Sequence, residues 1–238
     1  MPLYNAEDTV EKAIESILNQ TFKNVTLVIV DDASTDNSLE LAKQYLKDPR
    51  VMIYQNSINM GAYYSRNYGL FAGRDLDWTH FTTHDADDVS FSGRYKAIIK
   101  LMDKDVRING VQDMFDRINT ETETVVSSKL TMAHAVFVRS VFENIGYFDL
   151  VRFGGDWEHW RRLRAFNAFD EYGKTSSLDR VNGESYIHDT NLTVLIPENS
   201  KRWARYMEKS NKKILRMSGT ELLKYDFVPE KGMTKRIQ

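Results

Sequence analysis

Val25-Thr26-Leu27-Val28-Ile29-Val30 is the longest clean apolar run of the chain and limits its choice of fold more than any other segment. It is rich in β-branched residues and does not alternate with charged ones. That is the pattern of a strand covered on both faces in a parallel sheet. It is too short to span a bilayer and it stops at Asp31-Asp32. Before it, Val10, Ala13, Ile14, Ile17 and Leu18 recur at helical spacing, with Asn5 as the expected N-cap and Glu7 and Asp8 in the first turn. After it, Ser34 or Asp36 is expected to open a helix carrying Leu39, Ala42 and Leu46. Val51 to Tyr54 follows as a strand, Asn59-Met60-Gly61 as a turn and Ala62 to Ala72 as a helix. A strand ending at Thr83 and a helix from Ser92 to Met102 complete the first half. This alternation predicts an α/β fold with a mostly parallel central sheet flanked by helices. In such sheets ligands bind beyond the carboxyl ends of the strands.

The second half is less regular. Val106 to Met114 and Glu123 to Ser127 are expected strands around the turn Asn119-Thr120-Glu121. Val138 to Asn144 is expected as a short helix ended by Gly146, Asp156 to Phe166 as a helix and Ser185 to His188 as an edge strand. From Glu198 to Met217 the pattern is helical and basic. No linker-like stretch divides the 238 residues, so a single domain is expected, with parts at 1–105, 106–195 and 196–238.

Composition excludes several functions. There is no cysteine, hence no disulfide, thiolate metal site or cysteine nucleophile. The net charge of −2 gives no basic field for nucleic acid. No phosphate-binding Gly-Lys-Ser/Thr loop or GxGxxG fingerprint occurs. Without a signal peptide or spanning run, the expected location is cytoplasmic. Segment 201–216 carries seven Lys/Arg against one Glu, with Trp203 and Tyr206 among them. It fits either a peripheral membrane contact or an amphipathic terminal helix packed on the domain. Nothing in the chain fixes an oligomeric state.

His84-Asp85-Ala86-Asp87-Asp88 places three carboxylates within four residues, directly after an expected strand. Like charges so close oppose one another's ionisation. Water can solvate them, or a hard cation such as Mg²⁺ or Mn²⁺ can sit among them. Asp31-Asp32 ends a neighbouring strand, so the two clusters should converge on one side of the sheet.

Several segments, in order, resemble the family 2 glycosyltransferases, inverting enzymes of the GT-A (Rossmann-like) fold. They are Met1 to Glu7, Ala13 to Phe22, Val28 to Asp36, Asn59-Met60-Gly61 with Ser65-Arg66-Asn67, His84 to Asp88, and Phe148-Asp149 followed by Gly155-Asp156-Trp157. The resemblance spans residues 1 to 165. It implies transfer of a sugar from a nucleoside diphosphate sugar, most often uridine-linked, to a hydroxyl of a glycan or lipid-linked acceptor, as in polysaccharide biosynthesis. It places Pro2, Tyr4, Asp32, Arg66, Asp85 and Asp87 at the nucleotide sugar. It places a divalent cation, Mn²⁺ or Mg²⁺, in the DxD region, with Asp87 and Asp88 the better ligands, Asp85 or Asp87 at the ribose or the metal, the registers Asp85-x-Asp87 and Asp87-Asp88 both open, and His188 as a weaker candidate ligand. Asp156 matches the general base that takes the acceptor's proton.

Each residue has a plainer role open to it. Tyr4 could be core, Asp31 or Asp32 a cap, Arg66 a solvated helix face and Asp156 an N-cap. His84 is expected to be structural. Gly155 stands where the family commonly has Glu, which puts any acceptor contact from that Glu in doubt. The family's first strand normally has several apolar residues before the Met-Pro position, so a shortened strand or a trimmed start is expected here. Two other functions compete. A sugar nucleotidyltransferase would need a Gly-rich, basic loop where the chain has Tyr4-Asn5-Ala6-Glu7. A non-catalytic nucleotide-sugar-binding module would lack a counterpart of Asp156.

Overall fold

A computed structural model describes residues 1–151, 154–169, 173–187 and 224–238. In chain order the elements are β1 (Pro2–Leu3), α1 (Val10–Leu18), β2 (Leu27–Asp31), α2 (Ser38–Lys43) and a 3₁₀ turn (Gln44–Lys47). Next come β3 (Val51–Asn56), α3 (Ala62–Gly73), β4 (His80–Thr82), β5 (Asp88–Ser90) and α4 (Arg94–Lys104). The rest are β6 (Ile108–Asn119), β7 (Thr124–Val138), α5 (Arg139–Ile145), α6 (Gly155–Phe169), β8 (Lys174–Ile187) and β9 (Thr234–Ile237).

Two sheets form. The first has the order β1-β2-β3-β9. Its first three strands are parallel, with Leu3 opposite Asp31 and Ile29 opposite Ile53. β9 adds to β3 antiparallel. As the apolar, β-branched stretch Val28-Ile29-Val30 of β2 leads one to expect, Ile29 and Val30, on opposite faces of the strand, are both buried. α1 and α2 cover this sheet through Val10, Ile14, Leu39 and Ala42.

The second sheet has the order β4-β7-β6-β8-β5 and is mixed, with β6 and β8 its one parallel pair. The parallel expectation is thus corrected for β4. Its three residues join β7 antiparallel, where Phe81 stacks on Phe137 at 5.0 Å between ring centroids. Nor is Ser185 to Ile187 an edge strand. It is the end of the fourteen-residue β8, which lies between β6 and β5. The expected cap at Asn5 is also replaced. α1 begins after Thr9, while Asn5 takes a left-handed turn (φ 46°) and its side-chain oxygen accepts the Thr35 N–H.

Gly183 of β8 sits against β5. A Cβ there would overlap the Val89 carbonyl oxygen and the Phe115 ring. Gly183→Ala should cost about 1–3 kcal/mol, the usual cost of overpacking. Thermal denaturation checks this, and an unchanged midpoint would contradict the close approach. Among the described residues, no helix is long and apolar enough to cross a membrane.

Candidate active site

The loops that follow β1 and β2 are tied together at their start. Asn5 N–H donates to Ser34 Oγ, Ala6 N–H to Ser38 Oγ and Glu7 N–H to Asp36 Oδ2. Thr9 Oγ1 donates to the Ala86 carbonyl at 2.9 Å, which brings the acidic segment to the same end of the molecule. The two carboxylate clusters therefore lie at one end, not because their strands are parallel neighbours but because the loop after β1 is tied to the acidic segment and α3 reaches both, with Gly61 at its start on Asp32 and Arg66 on Asp85. Tyr4 stands at this end half exposed (50%), so it is not a core aromatic. Pro2 lies on β1 opposite Val30.

Asp32 is buried, and its carboxylate is largely engaged by its own chain. Asn56 Nδ2 and Met60 N–H donate to Oδ1 at 2.7 and 2.8 Å, and Gly61 N–H donates to Oδ2 at 2.7 Å. Gly61 has φ 90°, a conformation that side chains disfavour, and it opens α3 directly. Asp32 thus fixes where α3 begins. About one lone-pair site remains on Oδ2.

α3 presents Tyr63 and Arg66 to the acidic residues. Arg66 is buried rather than on a solvated face. Its Nη2 donates to Asp85 Oδ1 at 2.5 Å, and its guanidinium lies 4.9 Å from the centre of the Tyr63 ring. Burial works against a charged Asp85, but Arg66 and then His134 outweigh it and hold the carboxyl down at about 2. Asp87 is pushed the other way, up to about 7, by burial first and then by the charges of Asp88 and Asp85.

Asp88 points inward, with Oδ2 2.6 Å from Nε2 of His134 on β7. His134 is buried and stacked on Phe115, 4.5 Å between centroids and 10° from parallel. Burial opposes its protonation, and Asp88 more than compensates, so its pKa is raised. Beneath both lies the buried pair Arg94–Asp113, with Nε to Oδ2 at 2.7 Å. His84 bonds the Asp85 carbonyl and the Ser90 hydroxyl. Burial, then His134 and Arg94, lower its pKa well below the ordinary value, so it is a neutral structural ring.

Asp85, Asp88 and His134 can each offer an atom within 4.8 Å of the other two. Two carboxylates and an imidazole are oxygen and nitrogen donors of the kinds that divalent metal ions take. The crowding that raises Asp87 would ease with a cation nearby. The donor set therefore fits a divalent ion. Of the expected ligands Asp88 belongs to this group and Asp87 does not, Asp85 and His134 standing beside Asp88 instead, while His188 lies outside the described residues, as does 201–216.

Asp156 opens α6, where the helix N-terminus favours its negative charge. The Tyr63 hydroxyl donates to its Oδ1 at 2.5 Å and accepts from its backbone N–H at 3.2 Å. The sequence reading missed His134, Tyr63 and Asn56. The usable signals were a lone His within the apolar stretch Ala133 to Val138 and a Tyr three residues before Arg66.

The Glycosyl transferase family 2 model matches residues 1–172. Minor teichoic acid biosynthesis protein GgaB of Bacillus subtilis is 36% identical over 107 residues, 44% of this chain and 12% of GgaB. The chain spans less than half the length of the curated relatives it matches. Among solved structures, S. aureus TarS 1–349 in complex with UDP-GlcNAc aligns with TM-score 0.70 and 18% identity, over 92% of this chain and 66% of that one. The mannosyltransferase PcManGT from Pyrobaculum calidifontis, in complex with GDP-Man and Mn²⁺, aligns with TM-score 0.65 and 17% identity, over 92% and 63%. The GT-A fold is therefore established, and with the family model covering residues 1–172 of 238, the chain belongs to glycosyl transferase family 2.

Proposed function

We propose that the chain transfers a sugar, with inversion, from a nucleoside diphosphate sugar to a hydroxyl of a glycan or lipid-linked acceptor. A uridine-linked donor is favoured, in keeping with the UDP-GlcNAc bound by TarS. The carrying observation is that one helix, α3, holds both ends of the site. Its Arg66 grips Asp85 of the acidic segment and its Tyr63 grips Asp156.

In this reading the exposed Tyr4 offers a ring face to the base, beside Pro2. The remaining lone pair of Asp32 and the Arg66 guanidinium are the polar groups nearest that role. Asp85 and Asp87 face the ribose and diphosphate. Asp85, Asp88 and His134 would hold the cation, with Asp87 as a further carboxylate beside it. The chemistry supplied there by bound Mn²⁺ or Mg²⁺ is neutralisation of diphosphate charge. The acceptor oxygen attacks the anomeric carbon, its bond forming as the bond to the diphosphate oxygen breaks. The electron pair leaves with the diphosphate, and the acceptor proton passes to Asp156. Residues 1–105 then form the nucleotide-sugar half and 106–195 the acceptor and catalytic half, from which His134 reaches across to the cation.

Removal of divalent ions should stop transfer. Excess chelator is expected to reduce UDP release from a UDP-sugar to background, and Mn²⁺ in excess of the chelator should restore it. Full transfer in chelator would end the metal assignment. A binding module without catalysis would instead bind UDP and release none from the sugar.

A further inference from the structure

We propose that Tyr63 is a positioning residue for the general base, holding one oxygen of Asp156 so that the other is presented to the acceptor hydroxyl. This rests on the reading of Asp156 as that base. Its hydroxyl makes two contacts with Asp156, donating to Oδ1 and accepting from the backbone N–H. The two contacts fix the side chain relative to the first turn of α6. A carboxylate held at one oxygen loses rotational freedom, and a base in a fixed orientation avoids ordering itself during each turnover.

The surroundings are built for the ring. Tyr63 is 5% exposed and packs against Phe148, 6.0 Å between centroids. Its ring also lies against the backbone of Gly155. A Cβ there would stand 2.9 Å from Cε1, closer than real Cβ contacts come, and 3.0 Å from Cδ1 and 3.1 Å from Cζ, so the ring would have to shift. A side chain at 155, such as the Glu common in the family, would displace the phenol. The Gly155 departure and Tyr63 are thus two halves of one arrangement, in which the ring takes the space that a residue-155 side chain would need. Burial, then the Asp156 charge, raise the pKa of the hydroxyl, so it stays protonated and can donate.

The ring also meets Arg66, which holds Asp85. Asp85, Arg66, Tyr63 and Asp156 form a continuous contact chain from the acidic segment to the base. Through it, the groups that face the donor help set the orientation of the group that activates the acceptor.

Tyr63→Phe keeps the ring and removes the hydroxyl. With the full chain, Mn²⁺ and a panel of UDP-glucose, UDP-galactose and UDP-N-acetylglucosamine, UDP release is measured on the donor cleaved fastest. The expected result is a fall in kcat of about 10- to 100-fold, the scale of one hydrogen bond to a charged group. Donor KM and the melting midpoint should stay near wild type. A wild-type kcat, or a loss confined to KM and melting, would overturn the assignment. Gly155→Ala, alone and combined with Tyr63→Ser, adds a second check. Positioning through the ring predicts that the two losses in kcat overlap in the double variant, and fully additive losses would count against it. Asp156→Asn is run alongside. If that variant keeps full turnover, the base reading itself fails. If it is inactive while Tyr63→Phe has wild-type kcat, only the Tyr63 inference fails. A chain that releases UDP from no donor in the panel overturns both.

Discussion

Asp156→Asn is expected to lower transfer by about 10²- to 10⁴-fold, the usual contribution of a positioned general base, while leaving binding of the nucleoside diphosphate within a few-fold of wild type. The replacement is nearly isosteric. The Asn oxygen can still accept the Tyr63 hydroxyl, and the backbone N–H of residue 156 can still donate to it. The start of α6 therefore keeps its anchor to α3, and a loss of turnover reports on the carboxylate rather than on its surroundings. Arg66 and Asp85, which belong to the donor side, hydrogen-bond each other, and Arg66 feels Asp156 only through its charge, a smaller effect than that of Asp85, so they should remain in place. Calorimetry with UDP and Mn²⁺ separates the two effects. Loss of UDP binding in step with turnover would argue that Asp156 supports the donor site, and retained turnover would remove it from the chemistry.

Much of the donor half was legible because its signals are local. The β-branched run of β2 can be buried only between covered faces, and it ends at two carboxylates that must lie at the strand's end. The acidic segment stood out in the same way, as charges placed directly after a strand, whereas Asp156, which alone reads as an N-cap, was singled out only by the resemblance of Gly155-Asp156-Trp157 to the family's later acidic motif. What stayed hidden depends on contacts distant in sequence. The partner of β4 is set by Phe81 stacking on a ring 56 residues later. β8, Lys174–Ile187, carries Asp179, Arg180, Asn182 and Glu184, so no period marks it as a central strand. It forms because β6 and β5 supply hydrogen bonds on both sides. His134 becomes a partner of Asp88 only when β7 crosses the sheet. The ambiguity of Asp32 was also of this kind. A carboxylate after a strand can serve a ligand or the chain, and only the positions of Asn56, Met60 and Gly61 show how many of its lone pairs the chain uses.

Asp113→Ala should cause the largest loss of stability among these substitutions, although Asp113 touches no proposed ligand. Arg94 and Asp113 are both fully buried, and the pairing is bidentate, Nε to Oδ2 at 2.7 Å and Nη2 to Oδ1 at 3.2 Å. Removing the carboxylate leaves a guanidinium in the interior with no countercharge of its own, which costs about 3–5 kcal/mol. For a chain of this length that is a fall of roughly 10 °C in melting midpoint. The pair also steadies the floor of the acidic cluster, because Arg94 Nη2 donates to the His134 carbonyl and Nη1 to Ser90 Oγ. Ser90 Oγ in turn bonds His84, whose other nitrogen meets the Asp85 carbonyl. A displaced Arg94 therefore disturbs Asp85 and His134 together. Replacing both partners by apolar residues, Arg94→Met with Asp113→Leu, removes the stranded charge and should recover much of the lost stability. Its UDP release should stay below wild type, since the anchors to His134 and Ser90 are gone. A single variant that melts with wild type would show that the pair carries no such strain. A double variant with full turnover would show that the cluster above does not depend on it.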